Sequence, residues 1–164
     1  MKEGKSKSKG IKLKKVAISS IIILIVGLGS YMLFSYNRDI PLIEVTPKAY
    51  NFGVVSQGWG VVTTLLTLEN KGSGDLVING MWTSCGCTQA SLIINGEEGP
   101  RFGMHNNPQD WSATLKPGEV AQLKVYYDPN VHPVRGHVTR IIEIYSNDPK
   151  NPTYRVQIDL MQTG

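Results

Sequence analysis

Residues 61–82 read VVTTLLTL, then ENKGSGD, then LVINGMW. The first run, Val61 to Leu68, is β-branched and apolar. Asn70-Lys71-Gly72-Ser73-Gly74-Asp75 follows, built from the residues that favour tight turns. Leu76 to Trp82 then starts a second apolar run. This pattern is that of half-buried strands joined by a short connection. Further on, Val120 to Tyr127 alternates: Ala121, Leu123, Val125 and Tyr127 stand against Gln122, Lys124 and Tyr126. Val138 to Tyr145 and Tyr154 to Met161 form a last hairpin, joined by the turn-rich Ser146-Asn147-Asp148-Pro149-Lys150-Asn151-Pro152. Leu42 to Val45 and Tyr50 to Val55 read as short leading strands. Seven or so short strands with no amphipathic helix predict an all-β, immunoglobulin-like β-sandwich, with barrel closure as the alternative. The Cys…Trp…Cys spacing that pins the two sheets of antibody domains is absent.

The N-terminus has a different character. Lys2, Lys5, Lys7, Lys9, Lys12, Lys14 and Lys15 make a basic head at 1–15, with Glu3 its one acid. Residues 16–36 carry no charge and are rich in Ile, Leu and Val. At ~1.5 Å per residue this stretch spans the ~30 Å hydrocarbon core of a bilayer. It ends Tyr31-Met32-Leu33-Phe34-Ser35-Tyr36, without the small-residue site of a cleaved leader. The expectation is one transmembrane signal anchor at 16–36, a juncture at 37–41 and a single domain at 42–164. The lysines ahead of the span place the N-terminus inside. The chain then reads as a single-pass protein of the inner or cytoplasmic membrane, with its domain periplasmic or extracellular.

The charge balance follows this division. The whole chain is +4, yet the first fifteen residues hold seven lysines against one acid, and the rest holds ten basic and twelve acidic residues. The basicity is an orientation signal for the membrane. With no basic aromatic stripe either, nucleic acid is excluded as a partner.

The chain has two cysteines, Cys85 and Cys87, in Thr83-Ser84-Cys85-Gly86-Cys87-Thr88. Outside the cytoplasm such a pair is a small-ring disulfide, a redox couple or a soft-metal clamp. A C-x-C disulfide closes a very short loop and contributes little cross-link entropy. Thiol–disulfide catalysts usually place C-x-x-C at a helix N-terminus, which lowers the pKa of the attacking thiol. No helix is expected after Cys87, only Thr88-Gln89-Ala90-Ser91 and an apolar Leu92-Ile93-Ile94 strand.

In order along the chain stand Asn51-Phe52-Gly53-Val54-Val55, Glu69-Asn70-Lys71-Gly72, the CGCT motif, Pro117-Gly118-Glu119 and Ser146-Asn147-Asp148-Pro149. This series resembles domain-of-unknown-function family 1573, found in secreted and membrane-anchored bacterial proteins. The resemblance covers roughly residues 44 to 160. It implies an immunoglobulin-like fold related to domains of sperm and cilium proteins, a bacterial envelope and no established activity. One departure stands out: Gln89 to Lys116 intervene between the cysteines and the Pro117-Gly118-Glu119 turn, which usually follows quickly.

That insertion includes residues 95–110, longer than the ~12–15 residues beyond which loops are mostly functional or disordered. Phe102, Met104 and nearby Trp111 can anchor it. Met104 and His105 put a thioether beside an imidazole, and both are capable metal ligands. In the expected sandwich, 120–127 lies antiparallel beside 61–69, so 76–82 and 120–127 both finish where 61–69 begins. Cys85, Cys87 and His132 should therefore share one pole, and Met104 and His105 reach it if the loop folds back. The pole with turns 70–75 and 147–152 should hold turn chemistry alone. Two sulfurs with Met104 and one of His105 or His132 would suit copper(I). Two cysteines and two histidines would suit zinc. Copper is preferred because the compartment is extracytoplasmic and a thioether is near. His137 reads as a surface strand residue, and Trp59, Trp82 and Trp111 as core and loop anchors.

No nucleophile elbow, HExxH motif or phosphate-cradling glycine loop accompanies these residues, so the sequence offers no catalytic constellation. Two functions stand: a membrane-anchored module holding a soft metal, copper before zinc, and a non-catalytic accessory subunit of a membrane complex with a C-x-C disulfide.

Overall fold

The computed structural model describes residues 19–31 and 39–164. Residues 19–31 are helical and belong to a unit separate from the one that begins at Asp39. Among the described residues no helix is long and apolar enough to cross a membrane. The basic head and residues 16–18 and 32–36 of the expected span lie outside the described residues. So do Asn37 and Arg38 of the expected juncture.

From Asp39 onward the chain forms two sheets of five strands. The first contains β1 (Ile43–Thr46), β3 (Val62–Asn70), β8 (Val120–Tyr127), β5 (Thr88–Ile94) and β6 (Glu97–Glu98), in that spatial order. The second contains β2 (Ala49–Ser56), β10 (Thr153–Thr163), β9 (Gly136–Ser146), β4 (Leu76–Thr83) and β7 (Ala113–Leu115). The β-sandwich expected from the alternation is present, and all seven expected strands are found. The apolar strand expected at Leu92 to Ile94 is there as the end of the longer β5, while β6 and β7 are additional and come from the insertion. β2 runs parallel to β10, whereas the other pairings are antiparallel.

The core forms where the inward residues of the two sheets meet. Leu66 and Leu68 of β3, Leu123 and Val125 of β8, Ile142 and Ile144 of β9, and Val156 and Ile158 of β10 are all buried there. β4 shows how the pattern is adjusted. Leu76 and Ile78 point inward, the register with β9 then shifts between Ile78 and Gly80, and the inward set resumes at Met81 and Thr83. One extra residue in a strand has this effect, because it changes which face the later side chains occupy.

The insertion is folded into this frame rather than hung on it. Phe102 exchanges backbone hydrogen bonds with Ala90 and is 1 % exposed. Its ring meets that of Trp111 edge-on at 5.1 Å. Trp82 and Trp111 thus serve as the anchors expected of them. Trp59 does not: it stands 64 % exposed on the short 3-10 turn before β3, because Ser56 and Gly60 turn the chain outward there.

On the outer face of the first sheet, Glu98 accepts hydrogen bonds from Ser91, Lys124 and the Tyr126 hydroxyl. The Tyr126 hydroxyl chiefly, then Lys124 and Ser91, lower its carboxyl from 4.5 to about 2. A carboxyl whose folded pKa lies below its unfolded one stabilises the fold above the unfolded value. This contribution is therefore complete above pH 4.5 and disappears as pH falls toward about 2. Glu98→Gln is expected to flatten the acid limb of an unfolding-against-pH curve across that window. An acid limb identical to that of the parent chain would refute the assignment.

The pole with turns 70–75 and 147–152 is more than turn chemistry. The turn at 71–74 is closed by Asp39 to Leu42: Lys71 N donates to Leu42 O, and Ser73 N to Ile40 O. The contact is so close that a Cβ on Gly72 would fall 2.2 Å from Ile40 O. Asn70 is fully buried beneath it, accepting from Leu42 N and Gly72 N and donating to Gly74 O and Leu115 O. The chain thus enters the sandwich at this pole.

Candidate metal centre

The CGC turn is the connection that carries the chain from one sheet to the other. Thr83 ends β4 in the second sheet, and Thr88 begins β5 in the first. A crossover this tight must satisfy its own polar groups. The buried Thr83 hydroxyl reaches the carbonyls of Cys85 (3.0 Å) and Thr88 (2.8 Å), and Thr88 N donates to Cys85 O. Ser84 pins the turn to β9, donating from its backbone N to Ile141 O and accepting from Ile141 N at Oγ. Cys87 O accepts from Asp128 N, fixing the turn to the loop after β8.

The two cysteines are bonded to each other, with S–S 2.14 Å and Cα–Cα 5.2 Å. They pack with Val55, Tyr127, Val138 and Leu160 in a second small core. Each sulfur also has a polar neighbour. Cys85 Sγ lies 3.1 Å from His132 Nδ1, and Arg140 Nε donates to Cys87 Sγ at 3.1 Å. Among the described residues, Cys85, Cys87 and His132 form a group whose ligand atoms all lie within 4.8 Å of one another. The two sulfurs are buried and the imidazole is exposed.

His132 is held in place from below. Gln162 of β10, buried, donates to Pro129 O (2.8 Å) and His132 O (3.2 Å) and accepts from the Tyr127 hydroxyl. Burial raises the pKa of that hydroxyl, while Arg140 acts in the opposite sense. Asn130 adds a tie from its side chain to Gln57 O, joining the loop to the turn before β3.

The expected convergence thus holds for Cys85, Cys87 and His132, and differs for the insertion. The loop does fold back on β4, where Met104 O accepts from the Trp82 indole and Asn107 bonds to Gly103 and Met81. His105 stays exposed and lies outside the three-residue group. His137 is on the surface, 3.8 Å from Asp159. Arg140, Tyr127 and Gln162 complete the site and were not singled out from sequence. The one clue was Arg140 itself, a cation set among the apolar residues of an otherwise alternating strand.

A family model described as HYDIN/CFA65/VesB-like, Ig-like domain matches residues 41–159. No curated protein matches the chain. Among solved structures, a protein of unknown function from Porphyromonas gingivalis is similar at 18 % identity and a TM-score of 0.57, over 75 % of this chain and 47 % of that one. The present chain thus spans about half the length of that protein. The PapD-like domain 7 of human CEP192 is 18 % identical over 74 % of this chain and 84 % of that domain, with a TM-score of 0.46. The secreted serine protease VesC from Vibrio cholerae is 12 % identical over 79 % of this chain and 24 % of that one, with a TM-score of 0.46. The Ig-like fold implied by the sequence resemblance agrees with the family match, which does not name family 1573.

Proposed function

Because the chain belongs to the HYDIN/CFA65/VesB-like, Ig-like domain family, we propose that it is a membrane-anchored binding module outside the cytoplasm, whose CGC pole holds one copper(I) ion when reduced. Cys85, Cys87 and His132 are the ligands. The observation that carries this reading is the approach of three ligand atoms to within 4.8 Å of one another. Two thiolates and an imidazole are soft and intermediate donors, suited to copper(I). Charge favours the same ion. Copper(I) with two thiolates is a net anion, and the Arg140 guanidinium beside Cys87 neutralises it. Zinc with two thiolates is already neutral, so Arg140 would be an uncompensated cation. Zinc also takes four ligands in a closed structural site, and His105 does not join the group.

The anchor is the segment at 16–36. Its described part supports that assignment, since Ile21 to Val26 and Leu28 are all exposed on the helix, as in a segment that faces lipid. Within the sandwich, β4 runs from the pole that Asp39 to Leu42 close to the pole that holds the CGC turn. The CGCT motif supports a place in family 1573.

The test is metal uptake by the reduced chain in mild detergent, without oxygen. One copper(I) per chain is expected, with uptake abolished in Cys85→Ser. Disturbing groups outside the ligand shell already lowers metal affinity by about 10-fold or more, so His132→Ala should weaken binding by at least that factor. Unchanged uptake in Cys85→Ser would rule the site out. A second reading is the accessory subunit of a membrane complex with a permanent disulfide. It is favoured by the exposed Trp59, Val61 and Val131 around the same pole. Under it, the chain co-purifies with protein partners whether or not the cysteines are present.

A further inference from the structure

We propose that the cavity beside the CGC turn binds a small zwitterion, an α-amino acid with an apolar side chain, holding its carboxylate at Arg101 and its ammonium at Asp128. The site uses no thiolate and is tested with the disulfide closed, so it and the copper reading can fail separately.

The cavity measures ≈ 220 Å³. Its wall carries both signs of charge, Arg101 and Asp128, together with the polar Gln89 and Tyr126, the apolar Val61 and Val131, and Gly86 and Cys87 of the turn. Sites for drug-sized ligands run to roughly 300–1,000 Å³, so the occupant here is a smaller molecule.

Strand pairing puts these groups in place. Tyr126 is flanked in register by Thr63 of β3 and Gln89 of β5. Arg101 enters from the insertion because Phe102 is bridged to Ala90, the neighbour of Gln89. Its guanidinium lies over the Tyr126 ring, 3.9 Å from the centroid. Asp128 stands two residues beyond Tyr126, and two residues of extended chain span roughly 7 Å. One of its carboxylate oxygens is taken by the Asn130 backbone N–H at 2.9 Å.

The two charges are set in place but not matched. Among the described residues Arg101 has no carboxylate partner and Asp128 no cationic one, although both line one cavity. The neighbouring charges are already matched, since Lys124 pairs with Glu98. A planar guanidinium held against a ring takes a carboxylate on two parallel N–H bonds. An ammonium suits the second oxygen of Asp128. In an α-amino acid one carbon separates the two groups, which fits the short span from Arg101 to Asp128. Val61, 53 % exposed, and Val131, 48 %, give an apolar side chain a surface to cover. A ligand of a single sign leaves one of the two protein charges unmatched.

The experiment uses the oxidised full chain in mild detergent with a metal chelator. Equilibrium dialysis with labelled L-leucine should show saturable binding of one molecule per chain. Leucinamide lacks the carboxylate charge and N-acetyl-leucine the ammonium, so each should compete about 10-fold or more less well. Glycine should compete several-fold less well. Arg101→Met should erase the preference for leucine over leucinamide. Asp128→Asn keeps the oxygen that Asn130 needs and should erase the preference over N-acetyl-leucine. No saturable uptake at millimolar leucine would overturn the site. A variant that keeps the preference it should lose would overturn the assigned orientation, and glycine competing as well as leucine would overturn the apolar side chain. Stronger competition by phosphoethanolamine than by leucine would put a phosphate at Arg101, as in a lipid headgroup, and overturn the ligand class. If either variant does not fold, the ranking of these ligands on the parent chain decides the matter.

Discussion

Phe102→Ala is expected to lower the unfolding free energy by about 4 kcal/mol, a large effect for a residue in the middle of a long loop. The reason is where the ring sits. Phe102 is 1 % exposed and belongs to the same core cluster as Leu92, Leu123 and Ile144. Its backbone is bonded in both directions to Ala90 of β5, so the ring cannot withdraw and let neighbours close over the gap. Removing it leaves a cavity bounded by strands, which relaxes poorly. Urea unfolding followed by tryptophan fluorescence measures the loss directly. Phe102→Leu keeps most of the volume and should lose less than about 1.5 kcal/mol. A loss near 1 kcal/mol for the alanine variant would mean that the insertion is packed on the domain without being part of its core.

Asp148→Ala should destabilise by about 3 kcal/mol, the scale for stranding buried donors that had a charged acceptor. Asp148 is fully buried and accepts from the backbone N of Ile43, Lys150 and Asn151 and from the Asn151 side chain. The Ile43 bond joins β1 of one sheet to the β9–β10 turn of the other. Burial by itself raises the pKa of this carboxyl, yet the hydrogen bonds from Lys150, Ile43 and Asn151 outweigh it and hold the value below 3.8. The sign follows. The stabilisation is complete above pH 3.8 and is lost as the pH falls through the depressed folded value. Asp148→Asn keeps one acceptor oxygen, so it should cost less than the alanine variant and lose the acid dependence. An alanine variant as stable as the parent at pH 7 would show that the two sheets do not depend on this link.

The strands were legible because alternation reports which side chains turn inward. The segment 120–127 alternates cleanly and forms β8 with the same limits. Alternation does not report what lies across the interior. Asp148 and Asn70 therefore read as ordinary turn residues, although both are buried and tie distant segments together. Of the site, Cys85, Cys87 and His132 could be brought to one pole from strand order alone. Arg140 could not, because its approach to Cys87 depends on how β9 lies against the CGC crossover, and strand order does not fix that. His105 was misplaced for a related reason: composition shows that a loop can be anchored, but not which part of the anchored loop faces a site. Trp59 was expected to be a core or loop anchor like Trp82 and Trp111, and a single turn before β3 put it in solvent.

The grip of Gln162 on the Pro129 and His132 carbonyls has a consequence for the order of events during synthesis. Cys85 and Cys87 are two residues apart and can find each other as soon as they emerge. The imidazole reaches its place only when β10, the last strand of the sandwich, has docked against β9. Long-range contacts of this kind form late, because a long loop must close first. The nascent chain thus passes through a period in which its sulfurs are present and their third partner is not. Whatever redox conditions prevail in that interval decide whether the finished domain starts its life closed or open.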